Sequence, residues 1–164
     1  MPNLDDVITD VLEREGRNTR TDHAHDHGGR TQYGVSERSH PTAWADNQIT
    51  EQEAREIFLS KYVVYPGYHR IPPSHEKIQA QLIDFAVLSG PYIATEKLQA
   101  ILNVKVDGLF GPKSLAALIA ADPRTINNQL AIERTKMVCR IVKKNPTQLT
   151  WLNGWVDRAV SFIY

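Results

Sequence analysis

The sequence lacks the features that mark several large classes of protein. It contains one cysteine, Cys139, among 164 residues, which excludes an intramolecular disulfide and any need for an oxidising compartment. No apolar run approaches the roughly 18 residues of a transmembrane helix. Nineteen Lys and Arg balance nineteen Asp and Glu, which argues against binding to nucleic acid or a strongly anionic membrane. The remaining composition, 41% hydrophobic and 23% charged, is typical of a soluble globular protein.

The N-terminal part of the chain is acidic and rich in histidine. Residues 1–75 hold 8 Lys and Arg against 12 Asp and Glu, whereas residues 76–164 hold 11 against 7. All six histidines lie in the first of these parts, so we expect the chemistry to lie there. The first residues, MPNLDDVITDV, are acidic and amphipathic rather than basic and then apolar. We therefore expect no signal peptide and synthesis in a cytoplasm.

The N-terminal segment has the pattern of an amphipathic helix that ends near a carboxyl group. Asn3 can cap its start, and apolar residues recur at i, i+3, i+4, i+7 and i+8. These residues are Leu4, Val7, Ile8, Val11 and Leu12. The next position of this core-facing stripe is Glu15, and Gly16 can end the helix. Glu15 is thus predicted to be partly buried rather than an ordinary surface acid.

The following segment predicts little regular structure before a second helix. Residues 16–48 are predicted to lack long elements, with a small irregular or β-hairpin element near residues 20–40. Thr50 and Glu53 have the spacing of a capping box, which starts the second helix. Together with the helical pattern further along, this indicates a mainly α fold.

The C-terminal half predicts helices separated by clear breaks. The segment YPGYHRIPP (Tyr65–Pro73), with three Pro and one Gly, indicates a linker. Helical patterns then cover residues 75–88, 94–102, 112–119 and 123–144 and a last segment near the C-terminus. We therefore predict a first lobe over residues 1–73 and a helical lobe over residues 74–164, packed together as one globular unit.

Three features of the predicted C-terminal helices have ordinary structural interpretations. Cys139, beside Met137 and Val138, is expected to be a buried small residue. Trp151 and Trp155, four residues apart, are expected to pack in the core or as a staple between helices. A basic stripe is typical of a solvated helix face; its members are Lys136, Arg140, Lys143 and Lys144.

A pair of carboxyl groups is the first candidate site. Glycosidic bond cleavage needs one acid to protonate the leaving oxygen and a second carboxylate to activate water or stabilise the cation. Partial burial helps Glu15 to hold a proton near neutral pH, and either Asp22 or Asp26, in a polar stretch, should stay ionised. The alternative is a helix-end Glu paired with a nearby arginine, and spacing alone favours it. The candidate arginines are Arg14, Arg17 and Arg20.

Two further constellations lie beside this pair. His23, His25 and His27, with the two aspartates, offer Zn²⁺ ligands, but alternating loop histidines are more often solvated, so we predict no metal and no cofactor. In GGRTQYG (Gly28–Gly34), Thr31 can hold a water or a sugar hydroxyl. The alternative for this stretch is a simple hairpin turn.

At these residues the sequence resembles glycosyl hydrolase family 108, the phage and prophage lysozymes. The motifs VLEREG (Val11–Gly16) and DHGGRTQYGVS (Asp26–Ser36) are similar to the family signature. LIDFAVLSGP (Leu82–Pro91), LQAILNVKVDGLFGPKSLAAL (Leu98–Leu118) and WLNGWVDR (Trp151–Arg158) are similar to its predicted peptidoglycan-binding region. The resemblance covers nearly the whole chain and implies an all-α, lysozyme-like fold. It also implies that the first lobe is catalytic and that the second is a peptidoglycan-binding-like lobe.

The resemblance implies an endolysin: an N-acetylmuramidase that cleaves the β-1,4 bond between N-acetylmuramic acid and N-acetylglucosamine. It implies a monomer that acts on peptidoglycan, is neither inserted in a membrane nor bound to nucleic acid, and reaches the cell wall through a holin-like pore. The alternatives are a non-catalytic peptidoglycan-binding protein and a Zn²⁺-dependent amidase.

Site residues follow from the matched motifs. Glu15 corresponds to the general acid, Asp26 to the second carboxylate and Thr31 to the residue that positions water or substrate. The stretch before Gly28 is about two residues longer than in the family pattern, which leaves Asp22 as a rival to Asp26. Three residues are assigned to substrate binding: Tyr33, which can stack on a sugar, Gln32 and Asp84.

Overall fold

The computed structural model describes residues 3–16, 19–21 and 29–164. The chain divides into two compact units, Met1–Tyr65 and Pro66–Tyr164. The functional assignment of the two predicted lobes stays a prediction.

The described residues confirm a mainly α fold with one small hairpin. The α-helices are α1 (Leu4–Arg14), α2 (Glu51–Phe58), α3 (Glu76–Ser89), α4 (Pro91–Ile101), α5 (Pro112–Ala120), α6 (Pro123–Lys144) and α7 (Leu149–Val160). A π-helix covers Leu59–Val64, and 3-10 turns cover Tyr68–Arg70, Pro73–His75 and Pro146–Gln148. The strands β1 (Thr31–Gln32) and β2 (Val35–Ser36) pair antiparallel. No helix in these ranges is both long and apolar enough to span a membrane.

The first unit is built on two capped helices. The Asn3 side chain accepts a hydrogen bond from the Asp6 backbone N–H, and the Thr50 side chain accepts one from the Glu53 backbone N–H. Each helix therefore begins with a capping box. The predicted apolar stripe of α1 is buried from Val7 onward, and α2 buries Ala54 and Phe58. These contacts fix the end of α1, where the candidate acid lies.

The predicted linker is a packed segment. Tyr68 is 0% exposed, and its hydroxyl lies 2.8 Å from Thr95 Oγ1. Burial raises the pKa of this hydroxyl, although the hydrogen bond to Thr95 opposes the shift. The Tyr68 ring meets Phe110 edge-on at 5.5 Å. The prolines and the glycine therefore shape 3-10 turns that carry a core residue, which composition alone did not show.

The second unit surrounds buried polar side chains with helices. α6 packs against α3, α4 and α7. The buried Gln99 of α4 fixes the loop before α5: its Nε2 donates to Asp107 Oδ1 at 2.8 Å and to the Leu109 carbonyl at 3.0 Å. Its Oε1 accepts from the backbone of Gly108 at 2.9 Å. One glutamine thus replaces the regular backbone pairing that this loop lacks.

Two predictions about α6 and α7 are wrong. Cys139 is exposed because it lies on the outer face of α6, away from the buried Val138. Trp151 is 60% exposed, whereas Trp155 is half-buried. The four-residue spacing places the two tryptophans on neighbouring turns but does not decide how far a neighbouring helix covers each of them.

Candidate active site

Glu15, the candidate acid, lies at the C-terminal end of α1. It caps the C-terminus of α1, and its backbone N–H donates to the Val11 carbonyl at 2.9 Å. The residue is half-buried, as the helical phase predicts. Its carboxyl group therefore lies at the edge of the core of the first unit, where part of its surface still reaches solvent.

The hairpin turn packs directly against Glu15. Two residues, Tyr33 and Gly34, join the paired Gln32 and Val35, with φ values of 50° and 74°. Positive φ at both positions is what a two-residue type I′ hairpin turn requires. A Cβ atom on Gly34 would lie 2.9 Å from Glu15 Cβ and 3.2 Å from its Cγ. The absence of a side chain at this position thus lets the hairpin approach the candidate acid.

Replacing Gly34 with Ala is expected to displace Glu15 and lower hydrolysis. The new methyl group would overlap the Glu15 side chain at a positive φ of 74°, so the hairpin or the acid must shift. A displacement on the order of 1 Å can cost about 100-fold in rate. Initial rates of peptidoglycan solubilisation, with circular dichroism to follow folding, measure this effect.

Gly154→Ala is the matched control for this change. Gly154 lies within α7, and a Cβ there would meet nothing within 4 Å. This variant should keep the wild-type rate and gain helix stability of about 0.5–1 kcal/mol. Equal rates for the two variants would contradict the close approach of the hairpin to Glu15.

Thr31 is held between two neighbouring chain segments. It pairs with Ser36 across the hairpin, and on its other side it forms an isolated bridge with Thr21. In that bridge the Thr21 N–H donates at 2.9 Å and the Thr31 N–H donates at 3.0 Å. Its backbone is therefore paired on both edges.

Both candidates for the second carboxylate belong to one stretch of the chain. Asp22 and Asp26 lie outside the described residues, and so does the histidine cluster His23, His25 and His27. Among the residues that the structure does describe, no group of three or more His, Cys, Asp or Glu could hold a metal ion. The choice between the two aspartates stays a prediction.

A charged clamp closes the base of the hairpin. Arg30 Nε donates to Glu37 Oε2 at 2.9 Å, and its Nη2 donates to Glu37 Oε1 at 2.6 Å. Arg30 Nη1 donates to Asn47 Oδ1 at 3.0 Å. Bidentate pairing of this kind is strong and directional. The clamp therefore fixes the residue that precedes Thr31.

The Trp44 ring packs against the Arg30 side chain of this clamp. Its side chain is 3% exposed, and its Nε1 donates to the Val35 carbonyl at 3.2 Å. The guanidinium carbons of Arg30 and Arg20 lie 5.0 Å and 5.7 Å from the ring centroid, within the range of cation–π attraction. One aromatic ring thus contacts β2 and both segments that flank the undescribed residues 22–28.

Sequence reasoning missed this clamp, although a signal for it exists. The strands pair residue 31 with residue 36 and residue 32 with residue 35. Continuing that register places Arg30 opposite Glu37, an oppositely charged cross-strand pair. The register depends on the length of the turn, which the sequence left undecided between a hairpin and an irregular stretch. No local sequence pattern indicated that Trp44 contacts Arg20 and Arg30.

We expect the Arg30–Glu37 clamp to make the stability of the fold depend on pH. Arg30 holds the pKa of Glu37 below its ordinary value of 4.5, first through hydrogen bonding and then through its charge. Because the pKa of Glu37 is lower in the folded state than in the unfolded state, its ionised carboxylate stabilises the fold above pH 4.5. This contribution is lost as the pH falls through the folded-state pKa of Glu37. The melting temperatures of the wild type and Glu37→Gln should therefore differ above about pH 5 and converge in acid.

Glu96→Gln is the control for this pH series. Glu96 forms no ion pair within the described part of the chain, so its removal should leave the pH dependence of melting unchanged. A constant difference between the wild type and Glu37→Gln down to strongly acidic pH would contradict the clamp.

The two remaining hairpin residues lie near the site but have structural contacts. Gln32 Oε1 accepts from the Ile49 backbone at 3.0 Å, so it anchors the segment before α2. Tyr33 is half-buried and lines a cavity of about 140 Å³, together with residues of α1 and α2. Substrate binding by either residue stays a prediction.

The buried position of Asp84 corrects the prediction that this residue binds substrate. The residue is 1% exposed, and its oxygens accept from Arg134 Nη2 at 2.7 Å and from Arg158 Nε at 2.9 Å. A carboxylate closed off from solvent cannot be reached by a glycan. Asp84 instead joins α3, α6 and α7 in the core of the second unit.

Comparisons with known proteins agree with this arrangement. Residues 8–90, just over half of the chain, match the family model described as glycosyl hydrolase 108, and residues 93–160 match a predicted peptidoglycan domain. The solved structure of Brucella abortus SagA is 27% identical over 95% of this chain and 88% of that chain, with a TM-score of 0.75. No curated protein matches the chain. The chain therefore belongs to glycosyl hydrolase family 108 and is a lysozyme-like hydrolase that acts on peptidoglycan.

Proposed function

We propose that this protein is an N-acetylmuramidase that cleaves the β-1,4 bond between N-acetylmuramic acid and N-acetylglucosamine. The observation that supports this most is the half-buried Glu15 at the end of α1, against which the Gly34 turn packs. A carboxyl group fixed at the edge of a core, and still reached by solvent, suits the general acid of a glycosidase.

In the proposed reaction Glu15 donates its proton to the glycosidic oxygen as the bond to the anomeric carbon breaks. The departing sugar leaves as a neutral alcohol, and positive charge develops on the ring that remains. The second carboxylate, for which we propose Asp26, faces that charge. It either takes a proton from the attacking water or forms a covalent intermediate that water then hydrolyses.

Thr31 positions the water or a sugar hydroxyl in this proposal. Its backbone is paired on both edges, and the Arg30–Glu37 clamp fixes the residue before it. A hydroxyl on so rigid a strand can orient a ligand with little loss of entropy on binding.

The biological setting belongs to the same proposal. The protein is made in the cytoplasm of a host cell, reaches peptidoglycan after the membrane is permeabilised, and causes lysis as a monomeric phage-type endolysin. Peptidoglycan is the partner, and the match of residues 93–160 to a predicted peptidoglycan domain supports this.

Mass analysis of digested peptidoglycan tests the bond that is cleaved. Purified sacculi are digested, the products are reduced with borohydride, and the reduced sugar is identified. A muramidase gives reduced N-acetylmuramic acid at the new ends. Reduced N-acetylglucosamine would indicate a glucosaminidase, and free peptide amino groups would indicate an amidase, so either outcome contradicts the proposal.

The second carboxylate is tested by two matched variants. Asp26→Asn should reduce hydrolysis at least about 100-fold, in the range expected for a group that takes part in proton transfer, whereas Asp22→Asn should retain most of it. If the Asp22 change is the severe one, the alignment across the longer stretch is wrong and Asp22 takes the role.

A further inference from the structure

The end of the α6–α7 helix pair concentrates positive charge. From Thr135 to Val156 the sequence holds four basic residues and no acidic one, although the whole chain is neutral. Lys136 pairs with Glu133 at 3.0 Å. The other three, Arg140, Lys143 and Lys144, form no ion pair with any residue in the described ranges.

The same end exposes large apolar side chains. Ile141 in the last turn of α6 is 40% exposed, and Leu149 and Trp151 at the start of α7 are 63% and 60% exposed. We call these three residues, together with the unpaired cations, the basic tip; its members are Arg140, Ile141, Lys143, Lys144, Leu149 and Trp151.

A tight turn keeps the two parts of the basic tip together. The Asn145 N–H donates to the Ile141 carbonyl at 2.9 Å, and the Gln148 N–H donates to the Asn145 carbonyl at 3.0 Å. The Asn145 side chain also accepts from the Thr147 hydroxyl at 2.6 Å. These bonds bring the end of α6 next to the start of α7, so the cations and the exposed apolar residues lie around the same turn of the unit.

Helix stability explains only part of this composition. Lysines in the last turn of α6 interact favourably with the negative end of the helix dipole, which accounts for Lys143 and Lys144. It does not account for Leu149 and Trp151, which lie at the start of α7 and are largely exposed. An exposed tryptophan and leucine beside unpaired cations suit a partner that is apolar within and anionic at its surface.

We propose that the basic tip binds the surface of an anionic lipid bilayer. Lysine and arginine near such a surface each strengthen binding on the order of fivefold, and tryptophan favours the level of the headgroups. An anionic polymer without an apolar layer would satisfy the cations but not Leu149 or Trp151. The binding is peripheral, since no described helix can span a membrane, and it is independent of the proposed muramidase activity.

Vesicle co-sedimentation tests this proposal with the full chain. The protein is mixed with vesicles of phosphatidylcholine alone or with added phosphatidylglycerol, at low and at high salt. We expect binding only to the anionic vesicles, weakened by salt. Equal binding to both kinds of vesicle, or none to either, would overturn the proposal.

Matched charge variants locate the binding surface. Removing both lysines (Lys143→Gln with Lys144→Gln) should weaken binding to anionic vesicles by about 25-fold, the product of two fivefold factors. The control removes two lysines of other helices (Lys97→Gln with Lys113→Gln) and should bind as the wild type does. Similar losses for both pairs would show a nonspecific charge effect and contradict the basic tip.

A third variant separates a lipid surface from a polymer. Trp151→Ser should lower vesicle binding even at low salt and leave binding to lipid-free poly(glycerol phosphate) unchanged. If the polymer and not the vesicles retains the wild type, the basic tip is a cell-wall site and the lipid proposal is wrong. Unfolding midpoints close to the wild-type value show that each of these substitutions leaves the fold intact.

Discussion

Replacing Glu15 with Gln is expected to reduce peptidoglycan hydrolysis by at least about 100-fold, since a positioned general acid contributes on the order of 10²–10⁴ in rate. Gln keeps the size and shape of the side chain but has no proton of suitable acidity to donate. It also keeps the atoms that the Gly34 turn packs against. The rate of release of new reducing ends from purified sacculi is the measurement.

The fold should survive this change. Glu15 caps α1 through its backbone N–H, which the substitution retains, so the unfolding free energy should stay within about 1 kcal/mol of the wild type. Asp10→Asn, which removes an exposed carboxyl from the same helix, should be fully active. A Glu15→Gln protein with near-wild-type activity would exclude Glu15 as the acid.

The same variant separates the enzyme from a binding protein. If the wild type releases reducing ends and Glu15→Gln does not, while both are retained by sacculi, catalysis belongs to the first unit and wall binding is preserved. If neither protein releases reducing ends but both bind, the chain is a non-catalytic peptidoglycan-binding protein. Unchanged lysis after chelation would remove the Zn²⁺-dependent amidase.

Replacing Asp84 with Asn is expected to destabilise the second unit by about 3–5 kcal/mol, because removing one partner of a buried ion pair leaves buried charge uncompensated. Asp84 accepts hydrogen bonds from both Arg134 and Arg158, and the three residues come from α3, α6 and α7. Losing the carboxylate charge therefore weakens the contacts that join these three helices. Urea unfolding followed by circular dichroism measures the loss.

Asp157→Asn is the matched control for this experiment. Asp157 is exposed on α7, one residue before Arg158, and its neutralisation should change the unfolding free energy by no more than about 0.5 kcal/mol. A loss below about 1 kcal/mol for Asp84→Asn would show that the buried pairs contribute no more than a surface ion pair.

The sequence by itself predicted the elements whose causes are local. The Asn3 cap and the Thr50–Glu53 capping box are present as predicted. The long helix begins after Asp122 and ends at Lys144, between the two Asp/Asn–Pro breaks that the sequence shows. Helix caps, proline breaks and apolar periodicity act over a few residues, so they can be read without knowing the fold.

The half-buried position of Glu15 was predictable for the same reason. The 3.6-residue period of α1 continues one step beyond Leu12 and places the carboxyl on the core side. What lies against that carboxyl was not predictable. Gly34 reaches Glu15 from 19 positions further along the chain, and only the hairpin geometry brings the two together.

Only the tertiary structure decided which charges are buried, paired or exposed. Arg30 and Glu37 form a clamp because a two-residue turn sets their register, and Asp84 is a core residue because two arginines from other helices reach it. The sequence determined the helices, the caps and the half-buried position of Glu15, since these depend on near neighbours. Its zero net charge argued against anionic partners, yet α6 and α7 gather unpaired cations and apolar groups at one end. Charge balance is a property of the whole chain, whereas binding depends on which side chains the fold places side by side.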